Sequence, residues 1–280
     1  MSLKKTAFAA ALSAAFIGGA GPAAAAPYNW QLGMQQGVTP VMNGVPGVMG
    51  IESFHHMLLY IITAVCLFVL ALLIWVMIRY NQRANPVPSK THHNTPLEVA
   101  WTLIPVVILV AIAIPSFRLL YFEADIPKAD VTIKAVGKQW FWTYAYPKDG
   151  GFQFDAYMLS DAAAAKAGEP RLLGSDHPVY VPVNKVVELD TTGADVIHSW
   201  SVPAFGVKMD AIPGRINRTW FEATEIGTYY GQCSQLCGAN HAFMPIEVKV
   251  VSEADYEAWL KAAKKKYAAD PGAFRVAADK

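Results

Sequence analysis

Charged residues are scarce in this chain of 280 residues, since only 16% are Asp, Glu, Lys or Arg while 54% are hydrophobic. The formal net charge of +1 says nothing about nucleic acid, and we expect no nucleic-acid partner. The length and the apolar composition instead suit a membrane part followed by one globular domain.

Cysteine is also rare. The chain has three cysteines, of which Cys66 lies in an apolar run, and this number excludes a disulfide framework. No Cys-x-x-Cys-His motif occurs, which excludes a covalently attached haem c. No internal repeat occurs at solenoid or propeller spacing, so repeat architectures are excluded as well.

The N-terminus has the pattern of an export signal. Lys4 and Lys5 precede an Ala-rich apolar segment, and small residues at 23–26 supply a cleavage site. We therefore predict a signal peptide over residues 1–26, followed by an exported segment over residues 27–56. Its residues 27–50 are rich in Gly, Pro and Met and are interpreted as extended.

Two apolar runs predict a transmembrane helical hairpin over residues 57–122 in the lipid bilayer. The spans are expected at about 57–78 and 99–121, each long enough to cross a membrane as a helix. The loop between them, 79–98, carries three Lys or Arg residues, whereas 27–56 carries none. The positive-inside rule then places the loop in the cytoplasm and both outer ends on the exported side.

After the second span the pattern changes to short β-rich runs broken by turn residues. Nine strands are predicted, over 131–136, 139–146, 152–158, 178–183, 186–191, 196–202, 215–223, 227–232 and 245–251. Many short strands with few helical patterns indicate a sandwich or barrel domain, here assigned to residues 123–252. Residues 159–175 are interpreted as an insertion within it. An amphipathic helix and a tail are expected over 253–280.

Residues 233–244, Cys-Ser-Gln-Leu-Cys-Gly-Ala-Asn-His-Ala-Phe-Met, bring together two thiols, an imidazole and a thioether. Soft ligands without a carboxylate favour copper, and Cys237, His241 and Met244 have the spacing of a one-copper electron-transfer loop that needs a second His. Cys233 is one thiolate too many for a single copper, and two thiolates could bridge a pair. This stretch alone leaves a Cys233–Cys237 disulfide or a zinc site open.

Two further histidines of the exported domain are candidates for the missing imidazole. His198 lies in the predicted strand 196–202, immediately before a Pro-Ala-Phe-Gly turn, where it could meet the loop 233–244. The alternative is that His198 is an ordinary packed or surface histidine. His177 follows Ser-Asp in a turn and is expected to be solvated.

The chain resembles subunit II of the haem-copper cytochrome c oxidases over residues 50–252. The resemblance is carried, in the family's order, by two spans, Gly137-Lys-Gln-Trp-Phe-Trp-Thr-Tyr, His198-Ser-Trp, Val207-Lys-Met-Asp-Ala-Ile-Pro-Gly-Arg and the loop 233–244. It implies a cupredoxin-like Greek-key domain on a transmembrane hairpin, carrying two copper ions in the dinuclear Cu A centre. By this likeness the copper ligands are His198, Cys233, the backbone carbonyl of Gln235, Cys237, His241 and Met244.

The resemblance also implies the function. The chain is expected to accept electrons from reduced cytochrome c at Cu A and to pass them to haem in subunit I, where oxygen reduction is coupled to proton pumping. The expected partners are cytochrome c, subunit I and other oxidase subunits. The expected location is the bacterial inner membrane, with the Cu A domain in the periplasm.

The same resemblance implies roles for one aromatic residue and one acidic residue. Trp140 is the expected entry point for electrons; the alternative is an ordinary aromatic residue of the strand 139–146, which would place Trp140 and Trp142 on one face. Glu98 corresponds to the glutamate near the entrance of one proton-uptake pathway; the alternative is an interfacial charge favoured by the helix dipole.

Gln235 departs from the family pattern. Many relatives have Glu between the two cysteines, where its side chain also binds a magnesium ion shared with subunit I. A neutral amide is a weaker ligand for a hard dication. Magnesium at the interface with subunit I is therefore doubtful, whereas a backbone contact to copper is unaffected by the change.

Two other functions are alternatives to the electron relay. A quinol oxidase subunit II has the same fold but lacks the copper ligands, all of which are present here. A membrane-tethered copper carrier or assembly factor would bind exchangeable metal, and the two-thiolate set, the tryptophan cluster and the double span favour the electron relay over it.

Overall fold

The structure, a computed structural model, describes residues 37–267. The predicted signal peptide, the first ten residues of the segment after it and the last thirteen residues of the tail lie outside the described residues.

Five α-helices and twelve strands are present in residues 37–267. The helices are α1 (Pro40–Asn43), α2 (Ile51–Arg79), α3 (Thr95–Ala124), α4 (Asp161–Ala167) and α5 (Glu253–Tyr267). The strands are β1 (Gly44–Val45), β2 (Val48–Met49), β3 (Val131–Lys138), β4 (Phe141–Tyr146), β5 (Phe152–Ala156), β6 (Val179–Pro182), β7 (Val186–Gly193), β8 (His198–Val202), β9 (Val207–Ala211), β10 (Asn217–Glu222), β11 (Gly227–Cys233) and β12 (Pro245–Val251).

Helices α2 and α3 are the transmembrane part. They have 29 and 30 residues, and none of the residues in their most apolar windows is buried inside the chain. A helix of this length spans about 45 Å at 1.5 Å per residue, more than the roughly 30 Å of the hydrocarbon core. The predicted spans 57–78 and 99–121 fall inside these helices, which extend further at both ends.

The segment before α2 is packed into the β domain. We expected an extended segment, so this packing differs from the prediction. The Val38 backbone N–H donates to the Ala204 carbonyl at 3.0 Å. The Thr224 backbone N–H donates to the Val38 carbonyl at 2.8 Å. The Thr39 hydroxyl donates to the Phe205 carbonyl at 2.9 Å. Because this segment leads directly into α2, and the β domain follows α3, these bonds hold the start of α2 and the end of α3 on the same side of the membrane.

The β domain consists of two five-stranded sheets, in the orders β10-β7-β3-β4-β5 and β6-β12-β11-β8-β9. Most neighbours are antiparallel, but β3 runs parallel to β7 and β12 parallel to β6. The predicted fold class, a pair of membrane helices followed by a β sandwich, is confirmed.

Large aromatic side chains fill the space between the sheets. Trp142 and Trp200 are almost completely buried, and the indole N–H of Trp200 donates to the Tyr144 hydroxyl at 3.2 Å. Phe205 stacks on Phe221 with ring centroids 4.6 Å apart. Buried aromatic residues contribute strongly to core stability, so this core is a rigid base for the loops at its end.

Two strand predictions were wrong in detail. Strand β9 was not predicted; it is an edge strand, where charged residues such as Lys208 and Asp210 are normal. The predicted strand 139–146 begins at Phe141, which pairs with Lys138 and leaves residues 139–140 as a two-residue turn. Trp140 therefore does not share a strand face with Trp142.

Candidate metal centre

Three connections of the β domain meet at one end of the sandwich: the β3–β4 turn, the loop before β8 and the loop from β11 to β12. The Gln139 backbone N–H donates to Asp195 at 2.7 Å, and its side-chain amide donates to the Cys237 carbonyl at 2.8 Å. The Ser234 N–H donates to the Ser199 carbonyl at 3.0 Å. These bonds fix the three connections against one another.

Three side chains with soft donor atoms surround Cys233 and Cys237. The two sulfurs are 3.9 Å apart. The Cys237 sulfur lies 3.6 Å from Nδ1 of His241 and 3.8 Å from the Met244 sulfur. The Cys233 sulfur lies 3.9 Å from Nδ1 of His198. The structure thus brings together all five side chains that the resemblance named as copper ligands.

The Gln235 backbone carbonyl completes this donor set. Its oxygen is 3.3 Å from the Cys233 sulfur. The Gln235 side chain belongs to an exposed residue. The backbone carbonyl of Gln235 therefore lies in the cluster, while its side chain is exposed. This agrees with the expectation that a change from Glu to Gln leaves the backbone contact unaffected.

His198 is fully buried and is held in one orientation. Its Nε2 lies 2.8 Å from Oδ1 of Asp195, which leaves Nδ1 facing Cys233. A side chain at Gly137 would come within 2.7 Å of the imidazole, so only glycine fits beneath the ring without a shift. This is the usual arrangement of a metal-ligating histidine, in which a carboxylate holds the ring nitrogen that does not bind the metal.

The protonation of the two thiols differs sharply. Burial raises the pKa of Cys233, but hydrogen bonds from His198 and the Ser199 backbone outweigh it and lower the pKa to about 6. Burial and the charge of Cys233 raise the pKa of Cys237 to about 12. The metal-free pair thus favours one thiolate and one thiol, and a metal that binds both sulfurs must displace the second proton.

Trp140 connects this cluster to the surface. It is half-buried, and its indole N–H donates to the Cys237 carbonyl at 3.2 Å. Its ring also lies against Gly238, where an added Cβ would be 3.1 Å from the indole carbon Cζ2. One hydrogen bond therefore joins an accessible aromatic ring to the backbone of a cysteine in the cluster.

Comparison with known proteins identifies the family. A family model described as the periplasmic domain of cytochrome c oxidase subunit II matches residues 131–251, and one described as its transmembrane domain matches residues 27–119. The chain belongs to the cytochrome c oxidase subunit II family. The predicted family, and with it the prediction that the chain is a subunit of cytochrome c oxidase, are confirmed.

Relatives in this subunit II family match over most of their length. The probable cytochrome c oxidase subunit 2 of Rickettsia bellii (strain RML369-C) is 47% identical, over 91% of this chain and 92% of the relative. Cytochrome c oxidase subunit 2 of Cereibacter sphaeroides is 45% identical, over 83% of this chain and 80% of the relative. A crystal structure of the periplasmic domain of subunit II of Bradyrhizobium japonicum cytochrome oxidase is 56% identical, with a TM-score of 0.48, over 51% of this chain and 99% of that one.

The donor set fits copper. In a subunit II domain, ligand atoms of His198, Cys233 and Cys237 lie within 4.8 Å of one another and all three residues are buried. Two ligand atoms of one tetrahedral metal, bonded at about 2.0 Å to nitrogen and 2.3 Å to sulfur, lie about 3.5 to 3.8 Å apart, close to the separations found here. Both cysteines are free thiols, and the thioether of Met244 favours copper over zinc.

Asp195 and Gln139 are site residues that sequence reasoning missed. A carboxylate three residues before a strand histidine is not a metal motif, so no sequence pattern indicated the role of Asp195. Two backbone N–H groups, from Gln139 and Val196, also donate to Asp195 at 2.7 Å. Burial raises the pKa of Asp195, but these bonds and His198 outweigh it and lower the pKa below its usual value.

Replacing Asp195 by Asn is expected to weaken copper binding by about 10- to 100-fold, the usual effect of losing a carboxylate that orients a ligating histidine. The amide keeps the volume but carries no charge to hold the His198 N–H. Competition with a copper chelator measures the change. Asp155→Asn, which alters an acid that bonds Thr143 outside the cluster, is the matched control, and equal affinities of Asp195→Asn and wild type would contradict the assigned role.

Glu98 and His177 lie outside the metal centre. The Glu98 carboxylate accepts from the Asn94 N–H at 3.1 Å, while the Asn94 side chain accepts from the Leu97 N–H at 3.3 Å. Glu98 thus caps the start of α3, as an interfacial charge does, and its role in proton uptake stays a prediction. His177, expected to be solvated, is only half-exposed; its Nδ1 lies 2.9 Å from the Asp155 carbonyl.

Proposed function

We propose that this chain is the electron-accepting subunit of a respiratory cytochrome c oxidase. It takes electrons one at a time from reduced cytochrome c at a dinuclear copper centre and passes them to haem in subunit I, where oxygen reduction is coupled to proton pumping. The observation that carries the proposal is the cluster of two buried thiols with His198, His241 and Met244 at ligand spacing.

The number of sulfur donors supports two copper ions. The sulfurs of Cys233 and Cys237 are neighbours. Cys233 also lies beside His198, and Cys237 lies beside His241. The Gln235 carbonyl lies near the Cys233 sulfur, and the Met244 sulfur lies near the Cys237 sulfur. When bound, two copper ions held by these residues would supply a one-electron redox couple.

The protein's part is to hold these donors still. His198 is fixed by Asp195 and by the close approach of Gly137, and Met244 is 1% exposed. The Cys233 N–H donates to the Met244 carbonyl at 3.2 Å, which ties the two ends of the loop together. Because no donor needs to move and the sulfurs are screened from water, a change of one electron meets little reorganisation.

Electron entry is assigned to Trp140. The half-buried ring offers a contact surface to a partner, and its indole N–H reaches the Cys237 carbonyl. Leu236 and Phe243, in the loop beside it, are 77% and 43% exposed and supply apolar surface for docking cytochrome c.

The proposed orientation follows from the membrane part and the domain order. The loop between α2 and α3 carries Arg83 and Lys90 and is assigned to the cytoplasm, which places the copper domain in the periplasm of a bacterial inner membrane. The signal peptide 1–26 is proposed to be removed on export. Subunit I and the other oxidase subunits are proposed to contact α2 and α3, whose apolar surfaces are exposed in the single chain.

Rapid mixing of the copper-loaded chain with reduced cytochrome c tests the proposal directly. The purified full chain, loaded with copper in detergent, is mixed rapidly with reduced cytochrome c while absorbance follows both proteins. The chain is expected to oxidise one equivalent of cytochrome c per copper pair. A copper-free sample is the control, and copper-loaded chain that leaves cytochrome c reduced would refute the assigned function.

A further inference from the structure

The Cys237 carbonyl accepts two hydrogen bonds from the β3–β4 turn. The side-chain amide of Gln139 donates to it at 2.8 Å, and the indole N–H of Trp140 donates to it at 3.2 Å. A carbonyl oxygen has two lone pairs, so both of its acceptor positions are used. The backbone of a central cysteine of the metal cluster is therefore held from outside its own loop.

The same two donors lie over Gly238, the next residue of the loop. An added Cβ at this position would be 3.1 Å from Nε2 of Gln139 and 3.1 Å from Cζ2 of Trp140. The φ angle of Gly238 is 118°, a value that favours glycine. The loop thus has no side chain at the point where the amide and the indole reach the carbonyl.

Gln139 is anchored at its backbone as well. Its backbone N–H donates to Oδ2 of Asp195 at 2.7 Å, and Oδ1 of the same carboxylate lies 2.8 Å from Nε2 of His198. The amide of Gln139 therefore extends from a fixed backbone position, and its bond to the carbonyl is the shorter of the two. Because one bond restrains a carbonyl less than two bonds do, loss of the amide would let the carbonyl turn away from the Trp140 indole.

We propose that Gln139 is a positioning residue for electron entry. Its amide holds the Cys237 carbonyl in the direction that the Trp140 indole needs for its own hydrogen bond. This inference rests on the proposed function, in which electrons pass from Trp140 to the cluster. An amide carries no electron itself. Gln139 is exposed at the surface, so its side chain can be replaced without disturbing the core.

Nuclear magnetic resonance of the metal-free full chain in detergent, with isotope-labelled tryptophan, reports on the indole hydrogen bond itself. The Trp140 signal is assigned by its absence in Trp140→Leu. Gln139→Met keeps the length of the side chain but has no donor, so its Trp140 indole N–H is expected to exchange with solvent about three- to tenfold faster than in wild type, the effect of weakening one hydrogen bond. Gln139→Asn keeps an amide but is one methylene too short to reach the carbonyl, and it should show the same change.

Rapid mixing of the copper-loaded variants with reduced cytochrome c measures electron entry. Gln139→Met and Gln139→Asn are each expected to slow entry by about three- to tenfold, with unchanged copper content. In the Trp140→Leu background, Gln139→Met should slow entry by less than about twofold, because a positioning residue has no effect once the group that it positions is gone. Copper analysis of each sample separates slow entry from loss of the metal.

Gln153→Met is the matched control, since Gln153 lies on β5, outside the three connections at the metal centre. The inference is overturned if Gln139→Met accepts electrons as fast as wild type, or if it slows entry equally in the Trp140→Leu background. Slow entry in Gln139→Met with normal entry in Gln139→Asn would also overturn it, because the amide would then act by direct contact with cytochrome c.

The two measurements separate this inference from the proposed function. Unchanged exchange of the Trp140 indole in Gln139→Met refutes the role of Gln139 without any use of cytochrome c. Copper-loaded wild type that leaves cytochrome c reduced refutes the proposed function instead, while the indole exchange still tests whether Gln139 holds the carbonyl for Trp140.

Discussion

Replacing Cys237 by Ser lowers the rate of cytochrome c oxidation by the assembled oxidase by at least about 100-fold, beyond the upper end of what losing a residue outside the ligand set causes. Cys237 has the central position in the cluster, because its sulfur lies within 3.9 Å of three other donor atoms, those of Cys233, His241 and Met244. A hydroxyl is a hard and neutral donor that does not replace a thiolate for copper. The variant is therefore expected to lose the copper pair.

Steady-state oxidation of reduced cytochrome c and copper analysis of the same sample measure these effects together. Cys66→Ser is the control, because Cys66 is a free thiol on α2, outside the cluster. The two variants remove the same chemical group, so a general effect of thiol loss appears in both. Wild-type activity of Cys237→Ser would show that electrons do not pass through this cluster.

Replacing Trp140 by Leu slows electron entry by about tenfold or more, equivalent to roughly 1.4 kcal/mol or more in activation free energy. Leu keeps an apolar side chain but removes both the aromatic surface and the hydrogen bond to the Cys237 carbonyl. Gln139 still donates to that carbonyl, so the loop is expected to keep its shape and its copper. Stopped-flow mixing with reduced cytochrome c separates the entry step from later turnover.

Tyr157→Leu is the control for this experiment. Tyr157 is another exposed aromatic residue of the same domain and stacks on Phe141 with centroids 4.4 Å apart. Its loss removes aromatic surface without touching the cluster. An entry rate in Trp140→Leu equal to that of Tyr157→Leu would remove Trp140 from the electron path.

Much of the site was predictable because its donors are close in sequence. Cys233, Cys237, His241 and Met244 lie in one loop, and their residue types are those of a soft-metal site. His198 was harder, because its place depends on β8 pairing with β11, where Trp200 lies opposite Cys233. Residue spacing alone left it as a candidate, and the family resemblance selected it.

The turn that carries Trp140 shows why other features were missed. Two-residue hairpin turns usually contain Asn, Asp or Gly, but Gln139-Trp140 has none of these. The aromatic run was therefore interpreted as one continuous strand. The tertiary contacts of Gln139 with Asp195 and with Cys237 lie 56 and 98 positions apart in the chain. No local pattern encodes such contacts, and they are what joins Trp140 to the metal centre.

The fold as a whole followed from hydrophobic pattern. The uncharged stretches predicted both membrane helices, and alternation predicted most strands of the sandwich. The packing of residues 38–39 against the β domain was not predictable in this way, because a short Gly- and Pro-rich segment carries no periodic signal. Its hydrogen bonds to Ala204 and Phe205 appear only in the tertiary structure.

The copper content and spectrum of the full chain, purified in detergent without its partner subunits, test the central claim most directly. Metal analysis and electron paramagnetic resonance are made on the same copper-loaded sample, with Cys237→Ser as the matched variant. We predict two coppers per chain and a mixed-valence signal in which one unpaired electron is shared by both metals. A single copper per chain with the spectrum of an isolated blue-copper site would contradict the account.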